Sequence, residues 1–317
     1  MPEISKIRKY FANNSHVLMF VSVVLIAVVM TRGSFLKPDY LSVVLATAAV
    51  FGLLALGQGV VIISGGFDLS VGALVALSIS VVANLKNSLG IVNATVLMLA
   101  VSTLMGIING VLISSTRIPP FIVTLGTMSI ASSLSLILIP GQQIRVGEYK
   151  DFFEPALSWL PFGANSFPIV LITLFALGFS ILMNRTRFGR YIYAIGCNEQ
   201  TAMASGVPVR LAKIKTYALS GFMCGIGAIA YLFRNISAAP GSTADYLLLS
   251  IASTMIGGIS MYGGMGSVGG IVLGIISLAS INSVLIVAGI PPALHKAVLG
   301  GIVLFSASFQ WLSKRKA

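Results

Sequence analysis

Charge is what this chain has least of. Asp, Glu, Lys and Arg make up 9% of its 317 residues, only eight of them acidic, against 56% hydrophobic. A soluble domain carries about 25% charged residues, so this chain has too few to cover a surface facing water. Lipid must be its solvent over most of its area, and there only helices or a closed barrel satisfy every backbone group. The apolar runs are long and lack the ten-residue alternation of barrel strands. That leaves an all-α, polytopic membrane protein. Ligating side chains are scarce as well. His16 and His295 lie far apart, and Cys197 and Cys224 have no metal-type spacing, so no metal site is expected and the thiols read as inert. No lysine follows a glycine, which excludes a G-x-x-x-x-G-K-[ST] phosphate loop. No nucleophile elbow occurs either. The chain is expected to be no enzyme and to need no cofactor.

The net charge of +12 comes from short basic clusters between apolar runs. With no basic helix face and no aromatic interleaving, nucleic acid is excluded as a partner. Apolar segments near the length of a span cover 16–31, 42–63, 69–85, 91–114, 120–139, 166–183, 214–235, 247–262, 268–288 and 293–312, about ten in all. An even count puts both termini on one side. That side then holds Lys6, Arg8, Lys9, Arg117, Arg185, Arg187, Arg190, Arg210, Lys213, Lys215, Lys314, Arg315 and Lys316. The other holds Arg32, Lys37, Lys86, Arg145, Lys150, Arg234 and Lys296. The first side and both termini are therefore predicted to be cytoplasmic. No small-x-small cleavage site follows the apolar run 17–30, so it reads as a retained first helix. The longest connections are 140–165 outside, with Glu148, Asp151 and Glu154, and a basic one inside, 184–213. Neither has room for a soluble domain, so 1–317 reads as one membrane domain.

Each charge inside a bilayer is a functional candidate. Asp245, Arg234 and Lys296 lie near the outer ends of spans, where long side chains can snorkel. Asp68, in the run 64–72 (SGGFDLSVG), stands at a helix junction. It reads as a gate residue, as the N-cap of a helix starting near Leu69, or as both. Glycines cluster at Gly65 and Gly66 and again at Gly263, Gly264, Gly266, Gly269 and Gly270. Small residues let membrane helices pack closely, but the second cluster is denser than packing requires and reads as a hinge on the cytoplasmic side. Its likeness to 64–73 hints at an internal repeat. The inside loop begins with a basic entry holding Arg187, Gly189 and Arg190, then turns at 196–198, through Gly196 to Asn198. A short helix follows from Glu199, with a face of small residues (Ala202, Ala204, Ser205), and stops at Gly206. Such a helix held outside the membrane suits docking into a groove on a partner.

Four stretches, 64–72 (SGGFDLSVG), 109–126 (NGVLISSTRIPPFIVTLG), 187–206 (RFGRYIYAIGCNEQTAMASG) and 256–274 (IGGISMYGGMGSVGGIVLG), together resemble the permeases of bacterial ribose-type sugar ABC importers. The resemblance implies a bacterial inner-membrane location and a pathway formed by two permease subunits, identical or paralogous. It also implies delivery of sugar by a periplasmic binding protein and a separate cytoplasmic ATP-binding subunit docked on 187–206. The chain departs from the family at 245–252. Members often carry a glutamate in the run before the glycine hinge, and leucine replaces it here with Asp245 shifted outward. Cys197 stands where glycine is common. A solute released by a high-affinity binding protein should cross with few tight contacts, and Asn109, Thr124, Ser129 and Asn282 are the expected lining. An ion-coupled secondary transporter is the alternative, disfavoured by the lack of a carboxylate relay. A membrane enzyme would need an acidic or histidine cluster at the interface, which only the outer Glu148, Asp151 and Glu154 approach.

Overall fold

A computed structural model of the chain describes residues 15–141, 143–155, 163–239 and 241–314. Lys6, Arg8, Lys9, Arg315 and Lys316, which carry part of the predicted charge asymmetry, lie outside these residues, as does part of the 140–165 loop. The helices are α1 (Ser15–Met30), α2 (Pro38–Ile63), α3 (Val71–Leu89), α4 (Ile91–Ser115) and α5 (Pro120–Leu138). Then come α6 (Glu148–Phe153), α7 (Ser166–Arg185), α8 (Arg187–Cys197), α9 (Glu199–Ala204) and α10 (Val209–Asn235). The last three are α11 (Tyr246–Ile256), α12 (Val268–Val287) and α13 (Pro292–Lys314). Two short strands, β1 (Ile144–Arg145) and β2 (Ser237–Ala238), pair antiparallel.

Every predicted span falls on a helix. Among the described residues, α2, α3, α4, α5, α7, α10 and α12 are long and apolar enough to cross a bilayer. The segments His16–Met30, Tyr246–Ile256 and Ala293–Ser308 are shorter apolar helices. The predicted span 247–262 departs most. Its helix stops at Ile256 because Gly258 takes a left-handed φ of +79°, a conformation that glycine adopts without a steric penalty.

Helix α10 lies at the centre, against α2, α3 and α4. Its approach to α4 is made by two small-residue pairs, Gly106 with Gly110 and Gly221 with Gly225. A Cβ on Gly106 would stand 2.3 Å from the Tyr217 carbonyl, and one on Gly221 would stand 2.3 Å from that of Ser102. Backbone contact at this range replaces hydrophobic burial as the packing force between helices in lipid. The outward faces are apolar. Val29 on α1, Ile137 on α5 and Leu174, Leu177 and Ile181 on α7 are all exposed, as expected where the solvent is hydrocarbon. At the end away from α8, Lys86 Nζ meets both carboxylate oxygens of Glu148 at 2.6 and 2.7 Å and donates to the Arg145 carbonyl at 3.1 Å. Lys86 holds the Glu148 carboxyl below the usual carboxylate range.

One polar side chain in α2 breaks the pattern. Gln58 is fully buried, and neither atom of its amide has a hydrogen-bond partner among the described residues. Leaving a buried polar group unsatisfied costs about 1–3 kcal/mol. Gln58→Leu is therefore expected to raise the thermal midpoint of the detergent-solubilised protein by several degrees. An unchanged or lower midpoint in a scanning-fluorescence melt would show that the amide finds partners in solution.

Candidate coupling site at the glycine junction

The glycine clusters, far apart in sequence, meet in space. Helix α2 ends at Ile63, whose carbonyl has no partner within its own helix. The Gly264 N–H donates to it at 2.8 Å, which satisfies one of the orphan carbonyls every helix end leaves. The last turn of α8 seals this contact. A Cβ on Gly196 would lie 1.8 Å from the Ile63 carbonyl oxygen and 2.5 Å from the Gly264 nitrogen. Gly263 closes the third side, with its Cβ position 2.9 Å from the Gly196 carbonyl and 3.0 Å from the Gly65 Cα. Gly65, Gly263 and Gly264 have φ of +82°, +81° and +72°, so the turns themselves demand glycine. Tyr193 on α8 donates to the Gly266 carbonyl at 2.9 Å, and the Cys197 thiol lies 3.7 Å from that of Gly264. Gly270 packs on Gly257, its Cβ position 2.2 Å from that carbonyl, while Gly269 faces open space. The end of α8 thus touches both glycine turns at once.

Behind the junction lies a buried polar chain. Asp68 is fully buried. Its Oδ1 accepts from the Ser70 N–H at 3.0 Å and from the Ser70 hydroxyl, and its Oδ2 accepts from Ser220 on α10 at 2.8 Å. Asn109 on α4 donates to the Ser70 hydroxyl oxygen at 3.3 Å and accepts from Thr127 on α5. The N-cap of α3 is Ser70, not Asp68. Asp68 instead closes a turn two residues long and ties it to α10. None of the ion pairs among the described residues includes Asp68, so neutral donors alone hold this carboxyl. Gly66 sits on the same turn, where a Cβ would meet the Tyr217 hydroxyl at 2.5 Å.

The basic entry to the inside loop is itself helical, so Gly196 lies within α8 and the corner falls at Asn198. Each of the two helices is capped at its own start, α8 at Thr186 and α9 at Asn198. The Thr186 hydroxyl accepts from the Gly189 N–H at 3.2 Å and the Asn198 side chain from that of Thr201 at 2.9 Å, as N-caps do. Gly189 abuts the backbone of Met183. Ala202, predicted on the docking face, points inward with Ile195, Val209 and Ala212 because that is the apolar side of the pair. Glu199 pairs with Lys213 at 2.6 Å, fastening α9 to α10. Of the residues predicted to couple, Arg187, Arg190, Asn198, Glu199, Ser205 and Gly206 are exposed, and so is Met203, at 60%. Met203 and Tyr193 enter the site through the structure alone. A methionine between small residues in a basic loop was the available signal for the first, and none existed for the second.

Asn109 and Thr124 are buried, and their hydrogen bonds go to neighbours within the chain; Thr124 donates to the Pro120 carbonyl at 3.0 Å. Ser129 is exposed on α5, and Asn282 is half-buried on α12. Cysteines Cys197 and Cys224 are free, the second buried. No group of ligating side chains fit for a metal occurs among the described residues.

Residues 40–307 match the family model for the branched-chain amino acid transport system permease component. The chain is 34% identical over 294 residues to the ribose import permease protein of Bacillus subtilis (strain 168), covering 91% of this chain and 89% of that one. It is also 34% identical over 312 residues to the galactose/methyl galactoside import permease protein of Salmonella typhimurium, covering 92% of each. The fructose import permease protein of Rhizobium meliloti is 30% identical over 297 residues, 90% of this chain and 82% of its own. No solved structure matches. With the helical membrane body and the motif-bearing junction already in place, these matches settle the family: the chain belongs to the permease component family, among the ribose-type sugar ABC permeases.

Proposed function

We propose that this chain is the membrane-spanning subunit of an ATP-driven, binding-protein-dependent sugar importer of the bacterial inner membrane. In this reading it crosses the bilayer about ten times with both termini in the cytoplasm. It pairs with a second permease, identical or paralogous, receives sugar from a periplasmic binding protein, and takes its motion from a separate ATP-binding subunit. The contact of α8 with both glycine turns carries the reading. The exposed face of α8 and α9 connects directly to the helix end and the glycine turn behind it. It reaches Ile63, Gly65 and Gly264 backbone to backbone, and through the Asp68 turn it reaches α4, α5 and α10. His16, at the start of α1, lies against Gly258 at this same end, which supports placing the amino terminus on the cytoplasmic side.

The exposed face suits a partner groove with an apolar floor and an acidic rim. Met203 would fill the floor, since methionine adapts to irregular apolar contacts, and Arg187 and Arg190 would meet the rim. Purification of the chain with its ATP-binding subunit should give ATP turnover that rises when sugar-loaded binding protein is added. Met203→Asp should lower the retained ATP-binding subunit at least about tenfold, as expected for a charge buried in an interface core. Full retention in that variant would move the contact elsewhere. Uptake by the purified chain alone under an ion gradient would favour the secondary-transporter reading instead.

A further inference from the structure

Helix α11 crosses only part of the membrane. It has 11 residues and rises ~16 Å at 1.5 Å per residue. Beside it α12 has 20 residues, ~30 Å, the thickness of the hydrocarbon core. The two are locked at their inner ends, Gly257 on Gly270 and Gly274 on Ser253 and Gly257. Carried outward along the antiparallel pair, that register sets Tyr246 level with residues 281–283, one to two turns (~6–9 Å) inside the end of α12. Helix α10 gives the same depth independently. The Tyr246 ring meets that of Tyr231 edge-on at 6.0 Å, and Tyr231 lies one turn before Asn235, where α10 ends.

The turns that lead into α11, residues 241–245, lie at this depth or below it. The Tyr231 hydroxyl donates to the Ser242 oxygen at 2.9 Å, and Thr243 donates at 2.9 Å to the carbonyl of Gly72, only the second residue of α3. Yet Gly241, Ser242, Ala244 and Asp245 are exposed. The turns bond the N–H groups of Ser242, Ala244 and Tyr246 to carbonyls three residues back. Lipid offers no partner to the peptide groups that a turn leaves over, so irregular backbone at membrane depth occurs only where it is buried in protein or lines water. Asp245 Oδ1 lies 2.9 Å from Lys296 Nζ on α13, with the two side chains 50% and 65% exposed. A lysine can snorkel to the interface. An aspartate has one methylene and is held at the start of a helix, so it cannot follow. An ion pair this open, this far inside the helix ends, needs water around it.

We propose that residues 241–245 and the Asp245–Lys296 pair line a water-filled vestibule in the outer half of the membrane, and that an uncharged polyhydroxyl solute passes along it. The pair is neutral overall. It presents ammonium donors and carboxylate acceptors to hydroxyl groups without concentrating either anions or cations, whereas an ion would have to break it. The same register brings Asn282 to this level. The solute class rests on the importer reading above, but the water-filled space does not. Ala244→Cys and Leu174→Cys, in the intact transporter in spheroplasts, would be treated from outside with a membrane-impermeant thiol reagent, with the unsubstituted chain as baseline. Leu174 faces lipid on α7, eight residues from its outer end. Only a thiolate in water reacts, so Ala244→Cys should label at least about tenfold faster, and uptake should fall with the labelled fraction. Equal rates at the two positions would overturn the vestibule. Full labelling with undiminished uptake would overturn its place on the solute path. The rate is read by mass alone, so it stands or falls separately from any result on the ATP-binding subunit.

Discussion

Gly196→Val abolishes uptake and leaves the chain in the membrane at its normal level: that is the outcome expected from the junction. The new Cβ would begin 1.8 Å from a backbone oxygen and 2.5 Å from a backbone nitrogen, where real contacts stay beyond 3.0 Å. Neither atom can rotate away. Relief requires α8 to withdraw from α2 and from the Gly264 turn together, which breaks the three-way backbone contact of Gly196 with Ile63 and Gly264 and strains the Tyr193 and Cys197 contacts beside it. Overpacking of this kind costs about 1–3 kcal/mol, too little to unfold a bundle whose α4–α10 contact is untouched. Gly206→Val provides the contrast. Gly206 has φ +81° but nothing within 4 Å of its Cβ position. Its penalty is the left-handed backbone alone, about 1–2 kcal/mol, at the solvent-exposed end of α9. Uptake should fall only partly there. The measurement is radiolabelled-sugar uptake normalised to chain in the membrane fraction, with sugar-stimulated ATP turnover alongside. Gly196→Val should keep basal turnover and lose the stimulation. Uptake in Gly196→Val as high as in Gly206→Val, with stimulation retained, would mean that the junction transmits nothing.

The sequence made the membrane body plain because long apolar runs and the shortage of charge are one-dimensional signals. The importance of Gly65, Gly196 and Gly264 was visible as composition, but their mutual contact was not. Each is locally only a turn or helix-end glycine, and the collision that fixes it lies on another segment more than 60 residues away. The early stop of α11 was hidden for a different reason. Residues 247–262 are apolar throughout apart from small hydroxyls and glycines, so hydropathy runs straight through Gly257 while the backbone does not. Ala202 was placed on the wrong face because a six-residue helix has too few positions for a period to be read. Asp245 looked like an interfacial charge because its depth is set by the shortness of α11, which only packing against α10 and α12 reveals.

Asp68 separates shape from charge most sharply. Asp68→Ala would leave the Ser70 and Ser220 hydroxyls facing a void with no acceptor. At about 1–3 kcal/mol for each unsatisfied buried group, two such losses are enough to free the turn from α10. The chain from Ser220 to Thr127 would then be cut at its first link, and Asn109 would keep only a loosened Ser70. Asp68→Asn keeps the volume and one carbonyl oxygen. Its amide nitrogen must face either Ser220 or the Ser70 N–H, and only a hydroxyl can reverse its role to accept, so the amide should settle toward Ser220. The turn therefore survives in Asn and fails in Ala. Asp68→Ala is expected to lower the thermal midpoint and to cut uptake at least about tenfold, a loss worth 1.4 kcal/mol or more. Asp68→Asn should hold the midpoint near that of the parent and retain a substantial share of uptake. If Asn proved as damaged in uptake as Ala while melting like the parent, the carboxyl would be acting through its proton or its charge, not through the positions it holds. The two readouts decide between a positioning residue and one that titrates during the cycle, because packing alone cannot move uptake without moving the melt.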